Sequence, residues 1–114
     1  MLPIFIVRTS LLREKLKEYV LSDRGVVKAV VDCKKKIMAI GGVMHADEEH
    51  VLLEEESAQE DLWGINLHLE EKGEEWIEFD SMINIRPRQG NRSRGVEDRA
   101  LQEQIRDIVS SLVQ

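Results

Sequence analysis

The stretch DLWGINLHLEE, residues 61–71, alternates without a break: Trp63, Ile65, Leu67 and Leu69 fall on one side of an extended chain, Gly64, Asn66 and His68 on the other. A chain with this pattern has to build a sheet with one apolar face, and that face has to be covered. A cover is legible near the C-terminus. Leu101, Ile105, Ile108, Val109 and Leu112 recur at helical spacing behind Asp98, a good N-cap residue, so a long amphipathic helix is expected to lie on the sheet.

The other elements follow from local chemistry. LPIFIVR has strand composition, with Pro3 pointing to an edge strand. Thr9 or Ser10 is placed to cap a helix that carries Leu12, Leu16, Tyr19 and Val20 and stops at Gly25. VVKAVVDC and KIMAIGG flank Lys34 and Lys35 as a hairpin, although the turn lacks Asn-Gly or Asp-Gly. Asp47 is positioned to cap a helical turn over residues 48–53, where VLLEE also fits a brief strand. After Gly73, EWIEFDSMINIR reads as a strand pairing with the preceding one, with Ile77, Phe79, Ser81, Ile83 and Ile85 on one face and Trp76, Glu78, Asp80, Met82, Asn84 and Arg86 on the other. The expected fold is α+β over residues 1–114 as a single domain: an antiparallel or mixed sheet of about five strands, with an N-terminal helix and a long C-terminal helix packed on one face.

Composition bounds the function. With 114 residues, 42% hydrophobic and 33% charged, the chain can bury a core without metal or disulfide staples. No apolar run approaches the roughly 20 residues of a spanning helix, and no basic segment precedes the short N-terminal apolar run, so a cytoplasmic protein without a secretory signal is expected. The single Cys33 has no internal disulfide partner and reads as strand packing. The net charge of −6 conceals segregation: residues 43–80 hold fourteen acidic side chains and one basic, whereas residues 81–95 hold four arginines and no acid. A local basic spot on an acidic chain suits a small anion better than the broad cationic face of a nucleic-acid binder.

That spot is RPRQGNRSRG, with Arg86, Arg88, Arg92 and Arg94 between a strand and the C-terminal helix. Gly90 and Gly95 allow the backbone to bend, so main-chain amides are expected to cradle an oxyanion while Arg92 or Arg94 grips it with a bidentate fork. The string is no P-loop, since GxxxxGK[ST] is absent. Against an anion site stand Glu97 and Asp98, carboxylates able to occupy the helix end themselves, and the fourteen acidic residues able to pair with the arginines. Gln89, Asn91 and Ser93 add short polar groups that suit either a ligand or a capped turn.

HADEEH supplies metal-ligand types in His45, Asp47, Glu49 and His50, which His68 and Asp80 could join from neighbouring strands. The two histidines of HADEEH are five apart, not at HExxH spacing, and an acidic helical turn is more often solvated surface. No Gly-x-Ser-x-Gly elbow or Cys/His pairing supports nucleophilic catalysis. Asn66 and Asn84 share the non-core face of two expected neighbours, where they either bridge the strands or read a ligand near Arg86. Trp76 and Met82 on the same face are expected at a pocket wall or a homodimer interface.

MHADEE, LWGINL, FDSMINIRPRQGNRSRGVED and the amphipathic tail together are similar to a small family of uncharacterised prokaryotic domains of unknown function, over most of the chain from Val26 onward. The resemblance implies no activity, substrate or cofactor. Where the family pattern has Tyr, Ser and Pro, this chain has His68, Arg88 and Arg99. The resemblance therefore gives no support to His68 as a metal ligand or Arg88 as an anion contact, whereas a proline after Asp98 agrees with Asp98 as N-cap.

The leading expectation is a binding domain for a small phosphate- or carboxylate-bearing ligand at Arg86, Arg92, Arg94, Asn91 and Gln89, with Asn84 and Asn66 reading the rest and no cofactor required. Two other readings stay open. One is a metal-dependent phosphoester hydrolase in which His45, Asp47 and Asp80 hold a divalent ion beside the loop. The other is a non-enzymatic interaction domain whose arginines knit the fold.

Overall fold

A computed structural model describes residues 3–21 and 24–114. Five strands, β1 (Phe5–Val7), β2 (Val26–Asp32), β3 (Ile37–Ile40), β4 (Leu62–His68) and β5 (Ile77–Glu78), form one sheet in the order β1-β3-β2-β4-β5 with every pairing antiparallel. Two α-helices, α1 (His45–Glu54) and α2 (Arg99–Leu112), complete an α+β fold. Among the described residues no helix is long and apolar enough to cross a membrane.

The alternation in β4 has the expected consequence. Trp63, Ile65 and Leu67 join Val27, Ala29 and Val31 of β2 and Met38 and Ile40 of β3 in one apolar layer, covered by Ile105, Ile108, Val109 and Leu112 of α2. Asp98 caps α2 by accepting from the amides of Ala100 at 2.9 Å and Leu101 at 3.4 Å. Leu16 from the N-terminal segment is buried in the same layer, so both terminal segments pack on one face as expected.

That N-terminal segment is a 3-10 helix, Arg13–Tyr19, rather than an α-helix capped at Thr9 or Ser10. Residue 11 is committed to the C-terminus: Leu11 N donates to Leu112 O at 2.8 Å and Gln114 N returns a bond to Leu11 O at 2.9 Å. The chain is therefore extended where a cap was expected, and the helix starts later. Leu2 in the expected first strand, and Ser22 and Asp23 before Gly25, lie outside the described residues.

The hairpin of β2 and β3 turns without an Asn-Gly pair because Asp32 Oδ1 accepts from the amides of both Lys34 and Lys35 at 2.9 Å, while Lys36 takes a left-handed φ of 58°. The helical reading of the acidic stretch is the one adopted, and the helix runs longer than residues 48–53. Asp47 sits at its third position and reaches back to Met44 N at 3.3 Å.

The expected strand over residues 75–86 survives only as Ile77–Glu78. Ser81 Oγ accepts from Ile83 N and starts a 3-10 turn at Met82–Asn84. The Asn84 carboxamide then stands in for the missing strand: its Oδ1 accepts from Gly64 N at 2.8 Å and its Nδ2 donates to Gly64 O at 3.0 Å. A side chain at position 64 would collide with Ser81, since a Cβ there lies 2.6 Å from the serine Cβ.

The second sheet face is only half covered. Leu52 of α1 packs on Val30, Ile37, Ala39 and Leu62, with Ile83 beside them. The other half, where Val26, Lys28, Asn66, His68 and Glu78 stand, has no α-helix packed over it among the described residues and forms an open cleft bordered by Tyr19 and Leu21.

Candidate functional site

The arginine loop is a tight structure folded on itself. Arg86 and Asn91 exchange backbone bonds at 2.7 and 3.1 Å, closing the four residues between them, and Gly90 takes the left-handed φ of 79° at the end of the Pro87–Gln89 turn. The Arg86 side chain is 9% exposed. Its guanidinium donates to the carbonyls of Ile83 at 2.9 Å, Gln59 at 2.7 Å and Leu62, meets Glu49 at 3.4 Å, and lies 4.7 Å from the centre of the Trp63 ring. Its donors are committed inside the protein.

The remaining loop residues continue this pattern. Buried Asn91 donates to the carbonyls of Asn84, Ser93 and Gly95 and accepts from Glu97 N. Gln89 donates to Glu60 O at 3.1 Å, and Arg94 pairs with Asp80 at 2.6 Å. The amides expected to cradle an anion already hold one: Glu97 Oε2 accepts from Arg92 N at 2.7 Å and Ser93 N at 2.8 Å. Those bonds, Ser93 first, lower the Glu97 pKa and keep it ionised. The cavity beside the loop, about 470 Å³, is bordered by Glu60, Asp61, Glu97 and Asp98 with Lys34 as its cation, so an entering anion meets mostly like charge. Arg88 and Arg92 are exposed, and no side-chain bond joins them to the described residues.

The metal candidates are not brought together. Buried His45 donates from Nε2 to Ile65 O at 2.7 Å, and burial lowers its pKa. Asp47 serves the start of α1, Asp80 is paired with Arg94, and among the described residues no group of three or more His, Cys, Asp or Glu converges on a metal-sized space. His50 and Glu54 form an exposed pair at 3.3 Å on α1. Asn66 and Asn84 are not bonded to each other either: Asn84 holds Gly64 and donates to Arg94 O at 2.9 Å, while Asn66 faces the open cleft.

That cleft, about 540 Å³, holds the less settled chemistry of the molecule. The strand register puts Lys28, Asn66 and Glu78 in one row across β2, β4 and β5. Asn66 Nδ2 donates to Glu78 at 3.0 Å and to Asp80 O at 3.2 Å, leaving its Oδ1 buried without a partner. Lys28 is half-buried, and no hydrogen bond or ion pair joins its ammonium to the described residues. His68 meets Glu78 at 3.0 Å; this contact, with the Asn66 bond, lowers the Glu78 pKa.

Behind the cleft wall lies Glu48, fully buried on α1. Its Oε2 accepts from Gly42 N at 2.8 Å and its Oε1 has no partner. Burial pushes its pKa up to about 9, against the opposing pull of the Gly42 amide and Lys28, so the acid is protonated at neutral pH. A neutral Glu48 leaves the Lys28 charge uncompensated from that side. Position 42 has to be glycine because a Cβ there would lie 2.7 Å from the Glu48 side chain.

A family model described as a protein of unknown function, DUF5674, matches residues 5–112. The chain belongs to that family. No curated protein and no solved structure matches it. Within this DUF5674 chain, sequence reasoning missed Lys28, Glu48 and Glu78. A signal existed for Lys28, a charge on the same parity as Val26 and Val30 in β2, but its row with Asn66 depends on a strand register that the chain order does not disclose.

Proposed function

We propose that this domain binds a small carboxylate- or phosphate-bearing molecule in the cleft over the uncovered half of the sheet, with Lys28 as the anion contact and Asn66 as a hydrogen-bonding partner. The observation that carries this reading is the buried Asn66 carbonyl left without a partner in the same cross-strand row as half-buried Lys28, whose ammonium has no hydrogen bond or ion pair among the described residues. Buried polar groups are normally satisfied, and an orphan in a cleft is what a ligand would complete. The ligand class is the one expected at the arginine loop. The cleft is preferred because Arg86, Arg94 and the loop amides already serve internal partners.

Thermal-shift titration with acetate and inorganic phosphate tests it. Ligands that bind only the folded state raise Tm by mass action. The response is expected to disappear in Lys28→Met and to persist in the double variant Arg92→Ala, Arg94→Ala. The reverse pattern would return the site to the loop. The hydrolase reading is not carried further, since His45, Asp47 and Asp80 each serve a different structural partner.

A further inference from the structure

Resting on that reading of the cleft, we infer that its ligand is a zwitterion, a free α-amino acid with an apolar side chain, whose carboxylate meets Lys28 and whose ammonium meets Glu78 and the carbonyl of Asn66. The row across β2, β4 and β5 places a cation, an amide and a carboxylate on three adjacent strands. Neighbouring strands are about 4.8 Å apart, so the two charges stand on backbones roughly 10 Å from each other.

Lys28 and Glu78 share the cleft with Arg24, Asp80 and His68. Asp80 is matched by Arg94 at 2.6 Å, and Glu48 keeps its proton, so neither cancels Lys28. Glu78 remains ionised and half-exposed beside His68. A simple anion would gain from Lys28 and lose to Glu78, whereas a molecule with a cationic group next to its carboxylate gains from both. Its N–H would also supply the donor that Asn66 Oδ1 lacks.

The same cleft has an apolar side. Leu21 is 45% and Val43 53% exposed at its border, with half-buried Val26 next to them. Apolar side chains on a polar cleft wall give a ligand's hydrocarbon group something to cover, which selects a leucine-like amino acid over glycine.

Calorimetric titration of the wild-type protein with L-leucine, glycine, leucinamide and 4-methylpentanoate separates the contributions. Leucinamide lacks the carboxylate and 4-methylpentanoate lacks the ammonium. Each is expected to bind roughly tenfold or more weakly than leucine, about the worth of one charge-assisted contact. Glycine should be weaker for want of a side chain. Glu78→Gln is expected to reduce leucine to the affinity of 4-methylpentanoate. If 4-methylpentanoate binds as tightly as leucine and is lost in Lys28→Met, the zwitterion is refuted and the anion site stands. If no carboxylate responds to Lys28→Met, both fall.

Discussion

Replacing Glu48 by glutamine should stabilise the protein, increasingly so as the pH rises. The buried carboxyl has a pKa of about 9 against an ordinary 4.5, so between those values the native state holds a proton that the unfolded chain has released. Stability tied to this group is fully present below pH 4.5 and is lost as pH climbs toward 9. Each pH unit in that window costs about 1.4 kcal/mol, which puts the wild type at pH 7 about 3 kcal/mol below its value near pH 4.5. Glutamine keeps an oxygen for the Gly42 amide, now at 2.8 Å, and has no proton to lose. Glu48→Gln should therefore match the wild type near pH 4.5 and exceed it by about 3 kcal/mol at pH 7, roughly 10 °C in Tm for a domain of this size. Urea unfolding of both proteins at pH 5, 7 and 8.5 measures the difference, in which all other titrating groups cancel. Parallel curves across that range would refute the protonated acid, and with it the account of why Lys28 remains uncompensated.

Asn91→Ala removes a buried carboxamide that serves three carbonyls and one amide, and should cost about 3 kcal/mol in urea unfolding; a loss below about 1 kcal/mol would mean the loop is held by other contacts. Arg86→Lys keeps the charge but cannot span the carbonyls of Ile83, Gln59 and Leu62 or lie flat on Trp63, so a loss of about 2 kcal/mol is expected. The double variant Arg92→Ala, Arg94→Ala should by contrast change stability by less than about 1 kcal/mol, because both side chains are exposed. The Cys33 thiol, pushed up to about 12 by burial and then by Asp32 and Asp61, should resist iodoacetamide at pH 8 in the native protein and react at once in urea.

At the arginine loop the local inference meets a partner within the chain. Gly90 does permit the turn, and the amides of Arg92 and Ser93 do bind a carboxylate, but it is the chain's own Glu97. Charge patterning made the basic spot legible without saying whether internal acids had claimed it. The expected strand over residues 75–86 failed for a related reason. Its alternation is real, yet Ser81 and Asn84 offer side-chain bonds that compete with a ladder, and Gly64 gives them room to approach.

By itself the sequence determined the α+β class, the apolar face of β4, the amphipathic α2 and its Asp98 cap, because periodicity and capping are properties of a few neighbouring residues. Only the tertiary structure decided that α1 covers half of the second face, that Arg86 is buried on Trp63, and that Lys28, Asn66 and Glu78 share one row. Those facts depend on strand register and on which groups win a limited set of hydrogen-bond partners. Both are settled by contacts between residues far apart in the chain.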